Sequence, residues 1–296
     1  MEKDYLIGVD FNANTISAGL VDLTGKIIKK VEMPTDAKKG KKQVLDNLFA
    51  AISKVKKSHV IGIGIGVPGY VDKKRGIIHN APNLPDWKDV NLKRMIEERI
   101  NLPTYIDNDI NCFALAESKC GSGKKIDNFV VMSIGSGVGS GIVINGKIYR
   151  GTNDCAAEIG HTVVVENGDK CNCGNYGCLE TYSSGLAIER RFKDATKKRM
   201  TYEEIAKEYS KNKKAKEIIN DAGKYLGVGI ANVINFLNPE LVIVGGPVIR
   251  IVKPIAPLAF KEAQRRALSI PAERVKIMES TLEDAGIIGA ASILEC

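Results

Sequence analysis

Two stretches of this chain read alike. Ala18-Gly-Leu-Val-Asp-Leu-Thr-Gly-Lys-Ile27 and Ser140-Gly-Ile-Val-Ile-Asn-Gly-Lys-Ile148 share one order of small, apolar and turn residues, the second being one residue shorter. Each follows an apolar run, residues 5–9 in the first case and 129–134 in the second. A strand–turn–strand unit repeated about 120 residues apart suggests two related lobes with a cleft between them. Chance likeness of two hairpins produces the same pattern. The length of 296 residues favours two domains independently, since it exceeds what one core usually serves.

The apolar runs fill in the rest. Residues 5–9, 16–21 and 26–31 read as a meander of strands with a turn at Thr24-Gly25. Helical spacing follows at Val44, Leu45, Leu48, Ala51 and Ile52. In residues 60–67, Ile61, Ile63, Ile65 and Val67 alternate with Gly62, Gly64 and Gly66, so one strand face is apolar and the other is bare backbone. A bare face implies close approach of a helix or a ligand. Residues 102–106 read as a strand that runs into Asp107-Asn108-Asp109 and a helix over 110–119. Further on, 202–209 and 215–237 carry helical periodicity, 240–244 is a buried strand ending in Gly245-Gly246, and 284–294 is a helix of small residues. The expected division is a first α/β lobe over 1–117, completed by the C-terminal helix 284–296, and a second over 118–283.

Charge and composition exclude some classes. Forty-three Lys and Arg against 35 Asp and Glu leave +8, but the basic residues are scattered with few aromatics among them, which disfavours nucleic-acid binding. The apolar start is too short for a signal peptide, and the most apolar long stretch, 241–260, is broken by Arg250, Lys253 and three prolines. A cytoplasmic chain with no membrane partner is expected, its seven cysteines thiols or metal ligands.

Three of those cysteines are informative. The spacing His161-x9-Cys171-x-Cys173-x4-Cys178, with Gly174 and Gly177 between, can wrap one tetrahedral ion in a closed Cys3His set. Thiolate-rich tetrahedral sites select Zn2+, here in a structural role. Glu158 and Glu180 flank the knot and would be fixed by it, as carboxylates suited to gripping polyol hydroxyls; a surface position is the plain alternative for each. Asp109 stands at a strand end and helix start, where an ionised carboxylate is favoured. Such a group can take a proton from a hydroxyl attacking phosphorus, or simply cap the helix.

Together these pieces resemble the ROK family of sugar kinases and sugar-responsive repressors. The carrying residues are Glu158-Ile-Gly-His161, Cys171-Asn-Cys-Gly-Asn-Tyr-Gly-Cys-Leu-Glu180, Asn80-Ala-Pro-Asn83, Gly66-Val-Pro-Gly69 and Asn108-Asp109. The resemblance implies two ribonuclease-H-like, actin-like ATPase lobes around a central cleft. It implies an ATP-dependent, glucokinase-like hexose kinase acting on the 6-hydroxyl, with glucose as first candidate substrate and Asp109 as the base. Asn83, Asn108, Glu158, Glu180 and His161 would bind other hydroxyls, His161 using one ring nitrogen for zinc and the other for sugar. Gly135, Ser136 and Gly137 would form a phosphate turn, Gly245 and Gly246 would face the nucleoside, and Asp10 would help hold Mg2+. A homodimer is usual in the family.

One departure bears on turnover. Kinases of the family follow the first Asp with two glycines, Thr and often Lys, whereas here Asp10 precedes Phe11, Asn12, Ala13, Asn14 and Thr15. Asn12 and Asn14 retain amide donors and tolerate left-handed backbone, which partly rescues the turn. Smaller departures are Ala157 and Pro247, each at a usual glycine. The alternatives are a sugar sensor or regulator with weak or lost kinase activity, or a kinase for fructose or N-acetylmannosamine. Family repressors carry an N-terminal helix-turn-helix domain, whereas this chain starts at its first strand, so DNA binding by that route is not expected.

Overall fold

Three glycines lie side by side across three strands. In the computed structural model, which describes residues 3–81, 84 and 86–295, Gly8 pairs with Gly19 on one side and Gly64 on the other. A Cβ on Gly8 would sit 1.9 Å from the Ile287 carbonyl oxygen, and one on Gly64 would sit 1.8 Å from that of Ala290. The bare strand face therefore receives a helix, and the helix is the small-residue segment near the C-terminus. Asn83 and Cys296 lie outside the described residues.

The chain divides into two units. The first comprises Met1–Lys125, Gly146–Ala156 and Thr281–Cys296. It carries strands β1 (Tyr5–Phe11), β2 (Thr15–Asp22), β3 (Ile27–Pro34), β4 (Val60–Val67), β5 (Tyr70–Asp72), β6 (Ile77–Asn80), β7 (Lys88–Asn91), β8 (Thr104–Asn108) and β11 (Lys147–Tyr149). Its helices are α1 (Lys41–Val55), α2 (Leu92–Ile100), α3 (Asp109–Cys120) and α11 (Ala285–Ser292). The main sheet has the order β3-β2-β1-β4-β8, with β1, β2 and β3 antiparallel and β4 and β8 parallel to β1. A small antiparallel sheet, β5-β6-β7, is appended. The segment Gly146–Ala156, expected with the second lobe, clusters with the first unit. The reason is packing and charge: Ile148 lies against Cys112, Leu115, Ala290 and Ile293, and Arg150 pairs with Asp107.

The second unit comprises Ile126–Asn145 and Ala157–Ser280. It holds β9 (Phe129–Ile134), β10 (Val138–Ile144), β12 (Leu241–Gly245) and β13 (Lys276–Glu279), with helices α4 (Glu180–Ser183), α5 (Gly185–Thr196), α6 (Tyr202–Lys207), α7 (Lys213–Leu237), α8 (Pro247–Ile251), α9 (Ile255–Arg266) and α10 (Ser269–Arg274). β10, β9, β12 and β13 stand in that order in the second five-stranded sheet, which β11 extends at the β10 edge, β10 and β9 being antiparallel and the others parallel. That repeats the order and directions of β2-β1-β4-β8, so the two similar stretches of sequence are equivalent hairpin strands of two ribonuclease-H-like sheets. Helix α7 buries Ala215, Ile218, Ile219, Ala222, Leu226, Ile230 and Ile234 along one stripe. It starts two residues earlier than its apolar pattern, because Asn212 caps it by accepting from Lys214 N and Ala215 N. Among the described residues no helix is long and apolar enough to cross a membrane.

The glycine row yields a stability prediction. Gly64→Ala forces the α11 backbone off the sheet and should lower unfolding free energy by about 3 kcal/mol, at the upper end of overpacking costs. Chemical denaturation of both proteins checks this; an unchanged midpoint would mean that α11 does not seat on this row.

Candidate functional site

The four expected metal ligands converge in the second unit. Their ligand atoms, a ring nitrogen of His161 and the Sγ atoms of Cys171, Cys173 and Cys178, all lie within 4.8 Å of one another. A tetrahedral ion bonded at about 2.3 Å to sulfur and about 2.0 Å to nitrogen sets such donors roughly 3.5–3.8 Å apart. Cys173 Sγ is 3.7 Å from Cys178 Sγ, and Cys171 Sγ is 3.6 Å from His161 Nδ1. Burial and the neighbouring Cys171 and Cys173 thiols push the Cys178 thiol up to about 12. Burial raises the Cys171 thiol too, whereas the Cys173 thiol is lowered, first by a backbone hydrogen bond from Asn175; three sulfurs and one imidazole nitrogen at tetrahedral spacing form a donor set that fits Zn2+.

The backbone of the loop explains its glycines. Val164 N donates to Gly177 O at 2.8 Å and Leu179 N to Thr162 O at 2.9 Å, laying residues 162–164 along 177–179. Gly174 and Gly177 have φ of 96° and 74°, and a Cβ on Gly177 would lie 1.8 Å from Val165 O. Outside the knot, Tyr182 Oη accepts from Asp169 N, and Arg190 donates to Asp169 and to Thr181 O.

The same loop gathers Glu158, His161 and Glu180. Glu158 opens a short 3₁₀ turn, Ile159–His161, and its carbonyl accepts from His161 N. Partial burial raises the Glu158 carboxyl above its ordinary value, His161 opposes the rise, and Glu180 adds to it, so Glu158 feels both neighbours. Since Nδ1 of His161 faces Cys171, the expected sharing of the ring leaves Nε2 for another partner. Ala157, at a usual glycine, has φ 72°, a conformation costly for a side chain. Its carbonyl accepts from Ser140 Oγ.

Gly135, Ser136 and Gly137 form the three-residue connection between β9 and β10, with Ser136 exposed at its tip. Gly135 N donates to Gly137 O at 2.9 Å. Gly245 ends β12, and Gly246 (φ 98°) caps α8 where a Cβ would meet Ile134 O at 2.5 Å. Pro247, the other departure, occupies the first turn of α8, a position proline suits.

In the first unit, Asp10, Gly66 and Asp107 stand in one row across β1, β4 and β8. All three strands are parallel, so the row lies near the carboxyl ends where α/β sheets place their ligands. Burial, with Asp284 adding to it, raises Asp10 to about 6; Lys30 opposes this and Glu32 adds slightly. Lys30 Nζ sits 2.7 Å from Asp284 and 2.8 Å from Glu32. The Asp10 carboxylate offers the hard oxygen ligand that Mg2+ prefers.

Asn108, not Asp109, is the N-cap of α3. Its Oδ1 accepts from Ile110 N at 2.8 Å and Asn111 N at 3.3 Å, and its Nδ2 donates to Gly69 O. Asn108, expected on sugar, therefore already spends its acceptor on the helix. Asp109 follows in the first turn, where Ile110 N reaches its Oδ1 at 3.0 Å. Beneath it Asp107 is almost fully buried. Its Oδ1 accepts from Asn108 N and Asn111 Nδ2, and its Oδ2 from Arg150 Nε and Nη2 at 3.0 and 2.5 Å. Sequence reasoning missed this network, since nothing local links residues 43 apart.

The Asp10–Thr15 turn differs from expectation. No residue of Asn12, Ala13 or Asn14 takes a positive φ, so the left-handed rescue does not occur. Instead Asn12 Oδ1 accepts from Asn14 N at 3.1 Å and Thr15 N at 2.9 Å. Buried Thr35 closes the turn from behind, donating Oγ1 to Asn12 O and its amide to Asn14 O.

Metal analysis of purified protein should return about one zinc per chain. Cys178→Ala should lose it and open residues 161–178 to proteolysis while far-UV dichroism persists. A zinc-free protein with the same protease resistance would contradict the assignment.

A family model described as "ROK family" matches residues 6–295. The glucokinase of Thermotoga maritima is 35% identical over 312 residues, covering 100% of this chain and 98% of that protein. The xylose repressor of Bacillus subtilis is 32% identical over 297 residues, covering 98% of this chain and 77% of the repressor. Among solved structures, a ROK family glucokinase from Streptomyces griseus, in complex with glucose and AMPPNP, superposes with TM-score 0.86 at 30% identity, covering 98% of each chain. With a family model spanning nearly every residue, and the cysteine–histidine cluster and two ribonuclease-H-like sheets in place, the chain belongs to the ROK family.

Proposed function

We propose that this protein is an ATP-dependent hexose kinase that phosphorylates the 6-hydroxyl of glucose or a close hexose. The observation that carries the reading is the division of labour at the start of α3. Asn108 caps the helix, and the adjacent Asp109 presents a carboxylate in the first turn, at the carboxyl end of parallel strands. Asp109 takes the proton of the attacking hydroxyl as the new oxygen–phosphorus bond forms and ADP leaves. The Asp107–Arg150 pair holds the residue before the cap and so fixes where that carboxylate stands.

In this reading the second unit supplies the sugar grip: Glu158 and Glu180 accept hydroxyl hydrogens, and Nε2 of His161 adds a third contact. Bound zinc supplies rigidity to the loop and sets the tautomer of His161. The Gly135–Gly137 turn and Gly245-Gly246 offer backbone to the nucleotide, and Asp10 is the residue placed to hold Mg2+, which supplies charge neutralisation at the phosphates. The relatives' names support glucose as first substrate.

A second reading, a sugar sensor with weak turnover, is favoured by one observation: Asn12 occupies the amides of Asn14 and Thr15 that would otherwise face a phosphate. The likeness to xylose repressors is consistent with it.

A coupled ADP assay across hexoses and N-acetylhexosamines separates the two. Magnesium-dependent ADP release with glucose is expected, and Asp109→Asn should lower kcat about 10²–10⁴-fold with sugar affinity retained. No release with any sugar, alongside tight sugar binding, would favour the sensor. Asn12→Gly, which frees both amides, should raise kcat/KM for ATP; if it lowers it, Asn12 supports the phosphate turn rather than closing it.

A further inference from the structure

Glu180 reaches two places at once. It starts α4, two residues after the metal ligand Cys178, yet its Oε2 accepts from Val138 N at 2.9 Å, at the exit of the β9–β10 turn. Gly137 makes this possible. A Cβ there would lie 2.4 Å from Oε2 and 3.2 Å from the carboxyl carbon, but 3.9 Å from Oε1. One carboxylate oxygen is therefore pressed into the turn and the other is directed away from it.

The turn has a second hold from the same segment. Gly185, the first residue of α5, donates its amide to Gly135 O at 2.8 Å, and a Cβ on it would meet that oxygen at 3.1 Å and the Tyr202 ring at 2.8 Å. So the Gly135–Gly137 turn keeps its shape through its own Gly135 N to Gly137 O bond and through two residues that follow the metal loop.

From this geometry we infer that Glu180 is a positioning residue shared by the two substrates: Oε1 serves the sugar while Oε2 sets the phosphate turn. This rests on the kinase reading for what each side binds. A carboxylate that answers to two sites couples them, because sugar that fixes Oε1 also fixes the rotamer that holds Val138 N. The coupling must be reciprocal, so ordering the turn also improves sugar affinity. Gly137 then carries a role in sugar binding without touching sugar.

The test uses zinc-loaded, full-length protein and isothermal titration with glucose in the absence of nucleotide. Gly137→Ala, whose methyl displaces the carboxylate, should weaken glucose binding about tenfold, within the usual range for such couplings. Wild type that binds ADP but no hexose overturns the kinase reading, and this proposal with it. Wild type that binds glucose, with Gly137→Ala binding equally well, overturns the proposal alone. Should Gly137→Ala not fold, ADP titration of Glu180→Ala and Glu180→Gln decides. Glu180→Ala should weaken ADP several-fold and Glu180→Gln, which keeps an acceptor for Val138 N, should restore most of it. Equal ADP affinity in both variants and wild type overturns the coupling.

Discussion

The seating of α11 on the glycine row is the contact on which the first unit depends. Side chains ordinarily hold packed layers apart, about 10 Å in the case of two stacked sheets. Here Gly8, Gly19 and Gly64 remove that layer, and the carbonyls of Ile287 and Ala290 approach the strands directly. The other side of the helix is as close to α3: a Cβ on Gly289 would lie 1.6 Å from Cys112 O. At its start, Gly286 admits the Asp10 carboxylate, which a Cβ would meet at 2.5 Å. One small-residue helix thus fixes the end of β1, the face of β4 and the first turns of α3. Asp10 and Asp109 are held by the same body.

That closeness has an electrostatic cost. Asp10, Asp107 and Asp109 crowd one end of the sheet, and the thiol of Cys112 among them is raised well above its usual range, by burial first and then by those three carboxylates. Arg150 relieves the deepest one. A buried pair of this kind adds little net stability over an apolar substitute, yet losing one partner costs about 3–5 kcal/mol, because a charge is left buried alone. Its value is geometric: every oxygen lone-pair direction of Asp107 is spoken for by Arg150, Asn108 N or Asn111, so the strand-to-helix turn has one conformation.

Features with a local signature were legible in the sequence. The glycine alternation in β4 announced a close-packed face, although not whether a helix or a ligand filled it. The cysteine spacing gave the four donors, and the stripe on α7 gave its length to within two residues. What escaped were contacts between elements. Arg150 and Asp107, or Glu180 and Val138 N, are ordinary residues at unremarkable positions until folding brings them together. The Asp10–Thr15 turn was misread for another reason. Asn was expected to relax the backbone into a left-handed turn, but an Asn side chain can also accept from amides two and three residues on. That bond won, and the backbone stayed in ordinary territory.

The duplicated hairpins make that outcome instructive. The β1–β2 and β9–β10 turns occupy the same place in two sheets of like topology, and both are closed by a side-chain oxygen on a backbone amide. In the first, Asn12 belongs to the turn and takes two of its amides. In the second, the oxygen comes from Glu180 on another element and takes only the amide at the turn's exit. An internal acceptor forms its bonds whatever else is bound, and it must be displaced before a phosphate can use those donors. An external acceptor can be moved by whatever binds its other oxygen. On the kinase reading proposed above, the first turn is a fixed cost on phosphate binding, set by the sequence, while the second is open to adjustment by the sugar.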